Sequence, residues 1–205
     1  WITAYLTLGP MRATVGWWGQ SRDVQLYKYS AGILTKRKMV MVDFRSMLEK
    51  GYQHYQEGRL RQAEELYRRV LQADPDNPDG LNLLAVVANE TGRAQEAIEL
   101  MEKAVRAAPE NREFSNNLGQ LYKNCGQVDE AIESYHAALK TDPNFVDAHN
   151  NLGNVLSMTE RLEDAIGHYR RALEIDPNNI RVHYNLATTL YKQGNLPAAV
   201  EGLRT

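Results

Sequence analysis

The chain has 205 residues, 43% hydrophobic and 24% charged, with 24 Lys and Arg against 26 Asp and Glu and a net charge of −2. That balance excludes a disordered or collagen-like chain and gives no overall basic field for gripping nucleic acid. The single cysteine, Cys125, cannot close an internal disulfide, and no run of 18 apolar residues exists to cross a bilayer as a helix, so a cytoplasmic protein is expected.

Residues 1–43 carry six Lys and Arg against two acids, whereas residues 44–205 carry 18 against 24. The first segment mixes Trp17, Trp18, Tyr27 and Tyr29 with scattered glycines and keeps no period of 2 or 3.6. It reads as an N-terminal leader without an assignable fold. Its opening WITAYLTLGP lacks the charged stretch and apolar core of a signal peptide. A first residue other than Met suggests a fragment or a processed product, and the alternative to a leader is sequence upstream of a native start at Met39 or Met41. Asp43 stands where an N-cap would start the first periodic helix.

From residue 44 the sequence repeats. Pro75, Pro109, Pro143 and Pro177 are 34 residues apart with no insertion, which phases units 44–77, 78–111, 112–145 and 146–179 and a partial unit 180–205. A fixed period of this size predicts a stacked array rather than a closed globule. Within the third unit Ser115, Leu118, Gly119 and Tyr122 mark one helix face; Val128, Ala131, Ile132, Tyr135, Ala138 and Leu139 mark a second. Gly126 between them tolerates the left-handed backbone of a helix C-terminus, and Pro143 stops the second helix. Small residues recur where the two helices must approach, at Gly51, Ala85, Gly119, Gly153 and Ala187 and at Ala63, Ala97, Ala131, Ala165 and Ala199. The fold class expected is all-α, a solenoid of antiparallel helix pairs.

The stretches NNLGQLYKNCGQVDEAIESYHAALKTDPN and NNLGNVLSMTERLEDAIGHYRRALEIDPN resemble tetratricopeptide repeats, and the likeness covers residues 44–205. It implies a right-handed superhelix whose first helices line a concave face that binds other proteins. Two departures stand out. Glu160 replaces the turn glycine, at a cost of roughly 1 kcal/mol if its backbone turns left-handed. The fourth position of each unit reads Met47, Leu81, Ser115, His149 and His183 instead of an aromatic residue.

No reaction centre is expected, and neither catalytic residues nor a cofactor are assigned. His149 and His183 share one position in adjacent units and are read as neighbours filling interhelix space. No Cys, Asp or Glu recurs in phase to complete three or four metal ligands, so no metal is assigned. Cys125 lies at a helix end with Lys123 as the one local cation, the setting of a structural thiol.

The informative polar residues lie on the first helices. Asn82, Asn116 and Asn150 recur at one position, Asn117, Asn151 and Asn185 at the next, and Gln120 and Asn154 follow one turn later. Asn is a poorer helix former than Ala by roughly 0.6 kcal/mol, yet its amide can pair with both groups of a peptide backbone. These eight residues are the candidate peptide-binding set, and changing the ladder asparagines to Ala is expected to leave the solenoid as stable or slightly more so. Surface polarity copied by duplication is the alternative reading. Similar asparagine ladders line the tetratricopeptide arms of O-linked N-acetylglucosamine transferases, which the NNLG and YNLA stretches resemble; Glu49 and Leu83 break the pattern in the first two units. Chaperone-binding members instead use paired cations to clamp a C-terminal carboxylate, and Arg181 alone stands at those places here.

The resulting expectation is a scaffold holding an extended segment of a partner protein in the concave groove. The alternative is a substrate-recruiting arm of a larger enzyme, such as a glycosyltransferase, with its catalytic domain beyond Thr205. Neither nucleic acid nor a membrane is an expected partner. The fifth unit stops inside its second helix, so continuation past Thr205, or self-association through Val200 and Leu203, is expected.

Overall fold

The computed structural model describes residues 43–202, with side chains through Ala199. Residues 1–42 of the leader, and the side chains of Val200 and Leu203 on which the uncapped end rests, lie outside the described residues. Ten α-helices and no strands follow one another among those described: α1 (Phe44–Gln56), α2 (Leu60–Ala73), α3 (Pro78–Glu90), α4 (Ala94–Ala107), α5 (Arg112–Asn124), α6 (Val128–Thr141), α7 (Val146–Met158), α8 (Leu162–Ile175), α9 (Ile180–Lys192) and α10 (Leu196–Gly202). Each packs on the next, so the odd-numbered first helices and even-numbered second helices form two rows.

Two kinds of turn alternate, each written in local sequence. Inside a unit the first helix ends in a Schellman closure: Arg59, Arg93, Gln127, Arg161 and Asn195 each donate their N–H to the carbonyl five residues back, at 2.8–2.9 Å. The residue before each has positive φ, at Gly58, Gly92, Gly126, Gly194 and also at Glu160, where φ is 61°. The substitution read at that turn therefore holds a left-handed glutamate. Between units a proline sits second in a four-residue turn closed by an N–H to carbonyl bond, as from Asn77 to Asp74 at 3.2 Å and from Asn179 to Asp176 at 3.3 Å. The turn delivers the chain to an N-cap: Asn77, Asn111 and Asn179 accept backbone N–H groups of the following helix. Asp43 does so for α1, accepting from Ser46 at 3.1 Å.

Close approach within a unit is set by size matching. A Cβ on Gly51, Gly119 or Gly153 would lie 2.4, 2.7 or 2.6 Å from the ring of Tyr67, Tyr135 or Tyr169 respectively. Those three tyrosines are fully buried. In the second unit Ala85 occupies the glycine position and Met101 the tyrosine position, both buried, so the larger small residue is matched by a slimmer, more adaptable partner.

Candidate peptide-binding groove

The first helices touch their counterparts one unit on, α1 with α3, α5 with α7 and α7 with α9, whereas the second helices do not approach one another as closely. The more tightly spaced row lies inside the bend, so the first helices form the inner face.

All eight polar residues picked out from the sequence sit on that row. Asn82, Asn116, Asn117, Gln120 and Asn150 are buried, none more than 5% exposed, and Asn151, Asn154 and Asn185 are half-buried. They are joined to one another. Nδ2 of Asn117 donates to Oδ1 of Asn82 at 3.3 Å, Nδ2 of Asn151 to Oδ1 of Asn116 at 3.0 Å, and Nδ2 of Asn185 to Oδ1 of Asn150 at 2.8 Å. Each rung spans 35 residues and stitches one repeat to the next. Asn150 also donates to Asn151 at 3.4 Å, Gln120 donates to Asn124 at 3.1 Å, and Asn154 accepts the hydroxyl of Tyr169 at 2.8 Å. The expectation that replacing these asparagines leaves the solenoid as stable or slightly more so is corrected for the buried Asn117–Asn82 rung, because a buried rung that loses its donor leaves a desolvated carbonyl behind. An amide carries two donors and a carbonyl with two lone pairs, so a single rung does not exhaust either partner.

Charge on the inner face is largely paired. Glu49 accepts from Arg45 at 2.9 Å and Glu113 from Arg112 at 3.1 Å, Glu90 accepts the Tyr55 hydroxyl, and Asp147 pairs with Arg181. The one cation placed as for a carboxylate clamp is therefore engaged within the solenoid. Burial raises the Asp79 carboxyl above its ordinary pKa and lowers the Lys123 ammonium below its own.

The histidines depart from the sequence reading. His149 and His183 each direct Nε2 to the carbonyl of the preceding proline, Pro143 at 3.1 Å and Pro177 at 2.8 Å. They pin the turn between units. The ring that meets His149 is His168 on α8, with Nδ1 atoms 3.0 Å apart. Burial, then the neighbouring charges of His149 and His136, pushes His168 down to about 4. No repeated motif announces this grouping, since His136, His149 and His168 stand at three different positions of the unit. Among the described residues no group of three or more His, Cys, Asp or Glu could hold a metal ion, and no helix is long and apolar enough to cross a membrane.

The 34-residue period, the paired helices and the alternating turns define a tetratricopeptide solenoid, a helical scaffold for protein interaction. A tetratricopeptide repeat model matches residues 48–112 and a second TPR repeat model matches residues 122–160 and 159–194; the chain belongs to the tetratricopeptide-repeat family. Among solved structures it is similar to MamA: one crystal structure is 25% identical with a TM-score of 0.69, covering 75% of this chain and 90% of that one. MamA AMB-1 is 26% identical with a TM-score of 0.63, covering 78% and 88%. MamA from Desulfovibrio magneticus RS-1, 19% identical with a TM-score of 0.70 over 78% and 91% of the two chains, shares the fold. No curated protein sequence matches the chain significantly.

Proposed function

We propose that the inner face holds an extended segment of a partner protein and reads its backbone through the asparagine ladder. The observation that carries this is the rungs themselves: amides recur one repeat apart on the inner row, oriented by one another and with hydrogen-bonding capacity beyond the rung. Such pre-orientation lowers the entropy lost when a ligand is bound. Asn151, Asn154 and Asn185 are the accessible members and make the first contacts with the segment. Asn116 and Asn150 orient Asn151 and Asn185 through the rungs, and buried Asn82, Asn117 and Gln120 complete the polar row behind them. Backbone reading tolerates many sequences, which suits a scaffold. The described residues act here as a binding module rather than a reaction centre.

The test is a peptide selected on the wild-type protein from a random library, followed by two series. Backbone N-methylation removes one N–H at a time; alanine scanning removes one side chain at a time. Backbone reading predicts that N-methyl groups at particular registers weaken binding by about 0.5–1.5 kcal/mol each, and that Asn151→Ala with Asn185→Ala removes that register dependence. Side-chain losses alone, with no N-methyl effect, would refute the reading.

A further inference from the structure

Where the third and fourth repeats meet, α6, α7 and α8 frame a cavity of about 510 Å³ lined by His136, His149 and His168. His149 Nε2 faces the Pro143 carbonyl at 3.1 Å. A carbonyl only accepts, so the proton of neutral His149 sits on Nε2 and its Nδ1 carries a lone pair. That lone pair faces Nδ1 of His168 at 3.0 Å, with the ring centroids 5.3 Å apart, so His168 is the donor. Two neutral imidazoles thus tie the turn before α7, α7 itself and α8 into one chain of hydrogen bonds. His149 is buried and His168 half-buried. His183 reaches the Pro177 carbonyl in the same way at 2.8 Å, but 19 residues on, where the fourth unit has His168, the fifth has Gly202.

We propose that the His149–His168 pair is an acid-released latch on the joint between the third and fourth repeats. One added proton places a cation in a half-buried site, which burial opposes. A second leaves two N–H groups pointing at one another across 3.0 Å, and the contact opens. The surrounding groups do not relieve that charge. From α6 the exposed His136 ring, 6.3 Å from the His168 ring, opposes a positive His168. Around α8, Asp164 favours the charged ring but is paired with Arg161 at 2.9 Å. Glu163 and Arg171 line the same wall, and Arg171 opposes charge on His149. In the unfolded chain both rings take up protons at about 6.5. In the folded chain burial, then the two neighbouring rings, holds His168 down to about 4, and burial lowers His149 as well. The unfolded chain therefore binds more protons between these values, so stability is full above pH 6.5 and is lost as pH falls toward 4. For His168 alone this raises the unfolding constant about 20-fold between pH 7 and pH 5.

The experiment combines NMR titration of the histidine rings in the full chain with urea unfolding and hydrogen exchange at pH 7 and pH 5. The comparison is His168→Gln, whose amide can still donate to His149 but takes up no proton. The latch predicts that the His168 ring titrates below pH 5 in the folded wild type. It also predicts that the unfolding constant of the wild type, divided by that of His168→Gln, rises about 20-fold from pH 7 to pH 5. Carboxylates and the remaining histidines are common to both chains and drop out of that ratio. Exchange corrected for its intrinsic pH dependence should rise in α7 and α8 of the wild type at pH 5, ahead of α1 to α4. A His168 ring that titrates near 6.5 in the folded chain overturns the proposal; so does a ratio that stays constant with pH, or acid opening that is uniform along the array. Should His168→Gln fail to fold, ring titration and exchange of the wild type decide the matter by the same criteria.

Discussion

Glu160 holds a left-handed backbone, with φ of 61°, at a turn where four other units place glycine. The turn needs that conformation because the Arg161 N–H must reach the Leu156 carbonyl, 2.9 Å away. Glu160→Gly should raise stability by about 1 kcal/mol, relief of left-handed strain set against the added freedom of glycine in the unfolded chain. The check is a urea midpoint that rises with an unchanged slope. At the same scale the ladder separates buried from accessible rungs. Asn117→Ala leaves the Asn82 carbonyl desolvated, a cost of about 1–3 kcal/mol that exceeds the roughly 0.6 kcal/mol gained in helix propensity. Asn185→Ala, in a half-buried rung, should be nearly neutral. Equal melting temperatures for the two variants would remove the structural role assigned to the buried rung.

Helix pairs depend on matched sizes where they cross. In Gly119→Ala the new methyl meets the Tyr135 ring at 2.7 Å, and the overpacking should cost about 1–3 kcal/mol. The second unit shows the compensating arrangement, with Ala85 and Met101 at these two positions. Gly119→Ala combined with Tyr135→Met should therefore recover part of the loss, a non-additivity read directly from a double-mutant cycle of melting midpoints. Between second helices the coupling is ionic. Glu64 on α2 accepts from Arg93 and Arg68 at 2.8 Å, and both arginines also reach Glu96 on α4. The Arg93 guanidinium, helped by Arg68, holds the Glu64 carboxyl below its ordinary value of 4.5. A lowered folded pKa means stability present above pH 4.5 and lost as pH falls through the folded value. Glu64→Gln should thus cost up to about 1 kcal/mol at pH 7, since the group is partly solvated. The gap from wild type should close below pH 4.5; a gap that persists at pH 3 would assign the effect to packing instead.

Across the whole array each repeat is stabilised by its own pair and its neighbours, so damage should spread by proximity. Hydrogen exchange of Gly119→Ala is expected to rise most in α5 and α6, less in α3, α4, α7 and α8, and least in α1. A uniform rise throughout would indicate a single cooperative globule. The same one-dimensional logic repeats the ladder along the inner face: rungs from Asn82 to Asn185 join four successive first helices.

The elements were legible because their instructions are short-range. The turn glycines, the prolines 34 residues apart, the Asp43 cap and the small residues where paired helices approach act within a unit or at its border, and their spacing alone dictates paired helices in a stack. The strain at Glu160 was readable for the same reason, since a turn of known grammar demanded a left-handed residue there. Eight inner-face amides were also identifiable from phase. What phase did not contain was whom they touch. Asn117 with Asn82, and Asn151 with Asn116, are partners 35 residues apart, decided by how one helix pair rotates on the next. His149 meeting His168 rather than simply repeating His183 is set in the same way, because the fourth position of a first helix packs against the second helix of its own unit. Periodicity reports which face a side chain occupies; only the packed distance between helices decides which atoms on that face come within a hydrogen bond of one another.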